Sequence, residues 1–190
     1  MGVTDKTEVL RRWILIAFVL LGVGFGALRW NWGRREHRFD PLIRSAASQY
    51  GLPPDLVKAV VWRESRFVAE ARGGHGELGL MQVTETAAQE WADARKDRAF
   101  RHEHILDPAT NLHVGCFYLA KVSRRYRATD HPYLFALADY NAGRGNVLRW
   151  MQGAATTNGQ ALLTGMTYPG TREYVQAILA RRTSYAAEFR

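Results

Sequence analysis

Cysteine is all but absent: Cys116 is the only one in 190 residues. One cysteine forms no intramolecular disulfide and supports no cysteine-based metal site, and the count assigns neither an oxidising nor a reducing compartment. Sustained period-two alternation of apolar and polar residues is also lacking, and so is any internal repeat. The first absence removes the signature of half-buried strands. Acidic residues are the minority charge, 18 Asp+Glu against 26 Lys+Arg, for a formal net charge of +8. A basic surface suits a polyanion, and nucleic acid, anionic lipid and the bacterial wall all qualify. No nucleic-acid-binding motif accompanies the charge, so no nucleic-acid partner is expected. What is present in quantity is apolar: 47% hydrophobic against 23% charged residues, enough for a folded chain with a core.

The long uncharged run, Trp13 to Leu28, covers 16 residues. That is just under the roughly 17–25 residues of a membrane-spanning helix. Trp13 stands at one end and Trp30 and Trp32 at the other, where interfacial aromatics belong. Lys6, Arg11 and Arg12 precede the run, and Arg29, Arg34, Arg35 and Arg38 follow it. The expectation is a retained signal-anchor, with the N-terminus in the cytoplasm and the remainder outside. A cleaved signal peptide competes; Gly24 and Gly26 are small, but no clear A-x-A site is present. No cysteine follows the run to carry a lipid. The boundaries drawn are 1–38 for a cytoplasmic stub, transmembrane helix and short linker, and 39–190 for a separate domain.

That domain reads as helices. Asp40-Pro41, Pro53-Pro54-Asp55 and Asp107-Pro108 are start signals, each followed by apolar residues at helical spacing. Gly51 closes the first of these helices, and the second runs through Leu56, Val57, Val60 and Val61 to Glu64. Thr84 caps a short helix through Trp91. Further helices are predicted from Pro132 to Tyr140, around Val147 and Trp150, and from Pro169 through Ile178. Residues 152–168, rich in Gly, Thr and Ala, read as a loop. The fold class is all-α.

Glu64 ends an apolar helix in Trp62-Arg63-Glu64-Ser65-Arg66-Phe67. A carboxyl there, desolvated by its aromatic neighbours, keeps its proton near neutrality, as a general acid must. Read alone, it is better taken as a solvated glutamate at a helix end. Three further strings follow in order: Gly79-Leu80-Met81-Gln82, Tyr140-Asn141-Ala142-Gly143 and Thr171-Arg172-Glu173-Tyr174-Val175. Together with Glu64-Ser65 and its following aromatic, they resemble the lytic transglycosylase family with a goose-type lysozyme-like domain, over roughly residues 39 to 185. Four ordered motifs are far more specific than one.

The resemblance implies a lysozyme-like helical domain that cuts peptidoglycan between N-acetylmuramic acid and N-acetylglucosamine and leaves a 1,6-anhydro product. It implies Glu64 as the one catalytic acid/base. Met81, Gln82, Tyr140, Asn141 and Tyr174 are implied as substrate-binding residues, with no metal and no cofactor. Individually, Met81 reads as core, and Tyr140 and Asn141 as ordinary packing and helix-end residues. His102-Glu103-His104 is a surface charge cluster without a third convincing ligand. The implied location is the inner membrane, single-pass, with the domain in the periplasm or cell envelope exterior. The implied partners are peptidoglycan glycan strands, the membrane through the N-terminal helix, and an envelope-machinery partner. The sequence departs from the family where a serine is usual at Gly73, an alanine at Glu77 and at Asp139, and a glutamate at Gly170. Two alternatives stand beside this reading. One is a hydrolytic muramidase using Asp139 or Glu77 to activate water. The other is a catalytically weakened wall-binding accessory.

Overall fold

The computed structural model describes residues 6–190 and divides into two compact units, Met1–Arg38 and Phe39–Arg190. The first unit is a single helix, α1 (Lys6–His37). Its described apolar side chains, Trp13 to Val23, are exposed. The expectation of a transmembrane anchor is corrected here: among the described residues, no helix is long and apolar enough to cross a membrane. The physical reason lies in the run itself. Sixteen uncharged residues at a rise of 1.5 Å each make about 24 Å, short of the roughly 30 Å hydrocarbon core. Gly22, Gly24 and Gly26 further dilute its apolar character. The single-pass inner-membrane location and the membrane as a partner through this helix fall with the anchor. Residues 1–5 of the expected stub lie outside the described residues, as do the side chains of Trp30 and Trp32.

The second unit is all-α. α2 (Asp40–Tyr50) has a proline in its first turn and buries Ile43, Ala46 and Ala47. Gly51, at φ 67°, closes it in the left-handed region where only glycine sits without steric cost. α3 (Pro54–Ser65) buries Leu56 to Val61 without a break. A helix buried all round belongs at the centre of a domain. α3 packs most extensively on α9 (Pro169–Tyr185). A second central helix, α6 (Pro132–Ala142), buries Leu134 to Asp139 between α5 (Pro108–Arg125) and α9. α2 and α4 (Glu85–Ala94) cover α5, and α7 (Arg144–Trp150) follows α6.

The helix starts are set by local chemistry. Thr84 Oγ1 accepts from Ala87 N at 3.3 Å, and an Asp107 carboxylate oxygen accepts from Thr110 N at 2.8 Å. Such caps contribute about 1 kcal/mol each. Asp40 does something else. Phe39 is the N-cap of α2, and the Asp40 carboxylate lies 2.7 Å from Nζ of the fully buried Lys58. Lys58 also donates to Glu188 at 2.6 Å and lies 4.9 Å from the Tyr185 ring centroid. One buried cation thus ties the C-terminal turn (Ala186–Phe189) to α3.

Residues 152–168 contain more order than their composition suggests. A short helix, α8 (Gly159–Gly165), is capped by Asn158 and anchored by buried Leu162 and Leu163. Between α3 and α4 the chain folds back through two isolated antiparallel bridges, Arg72 with Leu78 and Leu78 with Val83. This folded-back segment carries the second sequence string.

Candidate active site

α3 delivers Glu64 to the surface of the core on its last helical turn. The helix is then stopped by an unusual pair: Arg66 at φ 52° and Phe67 at φ 61°. Left-handed backbone at bulky residues costs of order 1–3 kcal/mol each and persists only where surrounding contacts impose it. Phe67 is almost wholly buried. The Arg66 guanidinium stacks 3.9 Å from the Trp62 ring centroid, and Arg181 of α9 approaches the same ring at 5.2 Å. The turn leaves Glu64 partly buried beside α9.

The Glu64 carboxyl accepts a hydrogen bond from Tyr174 Oη at 2.5 Å. Burial pushes its pKa from 4.5 to about 7, against the opposing Tyr174 bond and the nearby Arg63 charge, with a smaller upward push from Glu77. Tyr174 is itself 2% exposed, and the Arg63 guanidinium lies 5.3 Å from its ring centroid. Burial, then the Glu64 charge, holds the Tyr174 hydroxyl well above the usual tyrosine range. It is therefore a neutral donor throughout the physiological range. Tyr140, on the last turns of α6, is held above its usual range by burial and then by the same Glu64 charge. α3, α6 and α9 thus bring one carboxyl and two tyrosines together.

The second string forms the floor. Tyr140 Oη donates to the Met81 carbonyl at 2.8 Å and its ring meets Tyr118 edge-on at 5.6 Å between centroids. The Met81 side chain is fully buried, packed where a Cβ on Gly115 would come within 2.4 Å of its sulfur. Met81 therefore offers Tyr140 its backbone carbonyl. Gln82, at φ 45°, spends its amide hydrogens on the carbonyls of Ala71 (3.2 Å) and Gly79 (3.0 Å). Asn141 Oδ1 accepts from Thr171 Oγ1 at 2.8 Å, joining the third and fourth strings.

Asn111, fully buried on α5, lies outside the four motif strings. It accepts from Met81 N at 2.8 Å and donates to the carbonyls of Leu78 (2.9 Å) and Ile105 (2.8 Å). An asparagine among apolar helix positions, four residues after the Asp107 N-cap, is the signal the sequence offers for this hub. Gly79, at φ 77°, is the one place where a Cβ would strike that side chain, 2.1 Å from Asn111 Nδ2. Asp139 lies elsewhere. It is buried, accepting from Arg125 at 3.0 Å and Tyr126 Oη at 2.6 Å, so it ties α6 to α5. His104 holds its own turn, Nδ1 accepting from Arg101 N, while one ring nitrogen of His102 pairs with the distant Val83 carbonyl.

Residues 41–163 match the model of the family described as Transglycosylase SLT domain. Membrane-bound lytic murein transglycosylase C of Yersinia enterocolitica is 33% identical over 123 residues, covering 61% of this chain and 34% of that protein. Membrane-bound lytic murein transglycosylase F of Desulfosudis oleivorans is 38% identical over 116 residues, covering 60% and 24%. The chain therefore spans about a third and about a quarter of the length of these relatives. The crystal structure of the 70 kDa soluble lytic transglycosylase of Escherichia coli superposes with a TM-score of 0.70 at 26% identity, over 83% of this chain and 26% of that one.

Proposed function

The chain belongs to the Transglycosylase SLT domain family, and on that premise we propose that it cleaves peptidoglycan glycan strands as a lytic transglycosylase, with Glu64 as its acid/base. One observation carries the reading: a single carboxyl, raised to about 7 by burial, sits in hydrogen-bond contact with a neutral tyrosine. Such a group is protonated at the start of the reaction and basic after it gives its proton away.

The steps follow from that chemistry. Glu64 protonates the oxygen bridging N-acetylmuramic acid to N-acetylglucosamine, and the bond from the muramyl anomeric carbon to that oxygen breaks. The acetamido oxygen of the same sugar stabilises the developing positive charge, as in substrate-assisted glycosidases. The Glu64 carboxylate, now ionised and accepting from Tyr174, takes the proton of the muramyl 6-hydroxyl. That oxygen closes on the anomeric carbon to give the 1,6-anhydro ring. Glu64 ends protonated and no water is consumed. Gln82, Tyr140 and Asn141 border the sugar on this reading, and Met81 supports Tyr140 from beneath. The basic charge of the chain complements the carboxylates of the stem peptides.

Hydrolysis remains the second reading, on one observation: Glu77 lies close enough for its charge to raise Glu64. Asp139 is the poorer candidate for water activation, since it is buried in the core with Arg125 and Tyr126 both on its Oδ2. Digestion of purified sacculi by the full chain, followed by mass analysis, separates the two. Anhydro products one water lighter than hydrolysed ones, lost in Glu64→Gln, are expected. Hydrated reducing ends instead would make the protein a muramidase.

A further inference from the structure

The segment between α3 and α4 turns back sharply at Gly73–Glu77. Gly73 N donates to the Glu77 carbonyl at 2.7 Å, and Gly76 takes φ 86° to allow it. The turn lays the Glu77 side chain over Gly73, where His75 N donates to Glu77 Oε2 at 3.0 Å. A Cβ at position 73 would lie 2.3 Å from Glu77 Oε2 and 2.8 Å from Gln82 Oε1. Glycine at 73 and glutamate at 77 are thus a single feature, since the carboxylate fills the space that any side chain at 73 would need.

Gln82 completes the arrangement. Both neighbours of its amide nitrogen are carbonyl oxygens, so the nitrogen is committed to them and Oε1 is the atom turned towards Gly73 and Glu77. Gln82 Oε1 and Glu77 Oε2, the latter already accepting from His75 N, converge beside Gly73 with acceptor capacity to spare. The His75 imidazole lies 3.7 Å from Glu77 and is 94% exposed, so solvent reaches it freely. Converging acceptors call for a donor. Sugar hydroxyls and acetamido N–H groups are donors. We propose that Glu77 is a substrate-positioning acceptor of this site, paired with Gln82 Oε1, and that position 73 is glycine to make room for its carboxylate. The proposal rests on the glycan reading above and gives Glu77, a departure from the family pattern, a role in binding.

The test uses the full chain in a Glu64→Gln background, with purified uncross-linked glycan strands as the probe and direct titration as the readout. Glu77→Ala weakens binding about tenfold, the loss of one hydrogen bond to a charged acceptor. Glu77→Gln keeps an acceptor and restores most of it. Gly73→Ala displaces the carboxylate and costs a similar factor, and on top of Glu77→Ala it costs less than it does alone, keeping only its 2.8 Å conflict with Gln82 Oε1. That non-additivity is the signature of the interlock. In the active protein, the groups facing Glu64 are Tyr174 from α9, Tyr140 from α6, Arg63 on α3 and Glu77. Removing only the last charge, with Glu77→Gln, shifts the alkaline limb of activity to lower pH. A melting temperature that drops while binding holds would mark a structural role and overturn the proposal, as would losses that simply add. Wild-type cleavage with Glu77→Ala binding at full strength overturns this proposal alone. A wild type that neither binds nor cleaves glycan overturns the glycan reading with it.

Discussion

Replacing Glu64 by glutamine isolates the electrostatic cost of the buried carboxyl. In the unfolded chain the group ionises near 4.5, and in the folded protein near 7. Between those values the folded state keeps a proton that the unfolded state has released, so stability falls as pH rises through the window. Below 4.5 both states are protonated and the penalty vanishes; above 7 it is complete and constant. At 1.36 kcal/mol per pKa unit the full shift corresponds to about 3 kcal/mol, and partial exposure of Glu64 brings this to about 2–3 kcal/mol. Glutamine keeps the shape and the acceptor for Tyr174 without the titration. Thermal melts of the full chain and Glu64→Gln should therefore coincide near pH 4 and separate as pH rises. At pH 8 the variant is the more stable, by about 5–10 °C at the usual few degrees per kcal/mol for a domain of this size. Titrating groups not coupled to Glu64 cancel in the difference. Parallel melting curves across that range would refute the claim that burial holds this proton, and the acid role with it.

Tyr174→Phe removes the one side-chain donor that lowers the Glu64 pKa, so the alkaline limb of glycan cleavage moves to higher pH, and turnover drops about tenfold from the lost hydrogen bond; a pH–rate profile of the full chain checks both. Gly115→Ala places a methyl 2.4 Å from the Met81 sulfur and 2.8 Å from its Cβ, forcing the floor of the site to shift. Its stability cost is about 1–3 kcal/mol by overpacking, and glycan cleavage falls with it, read by denaturant titration and sacculus digestion in parallel. Lys58→Met removes the buried cation that bridges the carboxylates of Asp40 and Glu188. It lowers stability by about 3 kcal/mol, and early proteolysis at the C-terminal turn is the accompanying readout.

Much of the domain's punctuation is local and so is legible in the chain. Thr84 and Asp107 cap the helices they precede, and Gly51 closes α2 in the left-handed conformation, because each acts on residues within one turn. Asp40 has the same sequence context as Asp107 but answers to Lys58, 18 positions on, a pairing that only tertiary structure creates. α8 was hidden because its composition is that of a loop, while the buried pair Leu162 and Leu163 that fixes it gains its meaning from packing. The apolar run at residues 13–28 shows the reverse error: its flanking tryptophans and arginines carry the pattern of a membrane span, but pattern does not supply the missing length. For the site, order of motifs brought Glu64, Tyr140 and Tyr174 to notice, and α3, α6 and α9 place them together. That Met81 works through its carbonyl, and that Asn111 suspends the strand-like turn beneath it, depends on backbone atoms that side-chain patterns do not report.

Backbone strain is distributed in a way that bears on the chemistry. Among the described residues, the non-glycine positions with positive φ are Arg66, Phe67, Gln82 and Lys96, and the first three flank the Glu64 site. The Arg66–Phe67 pair ends α3 one residue after Ser65, whose hydroxyl donates to the Val61 carbonyl within the last turn. A helix continued by one more turn would place Glu64 mid-helix. The strained stop instead leaves the carboxyl at a helix end, beside the segment that carries Gly73, Glu77 and Gln82. At Gln82 the left-handed backbone turns the side chain back onto the Ala71 and Gly79 carbonyls, so its amide is fixed before any sugar arrives. Preorganisation of this kind lowers the ordering cost of binding. It also explains why the rigid contacts lie in the core: Phe67, Asn111 and Met81 hold the strained turns from below, and the groups left above them are those with chemistry to perform.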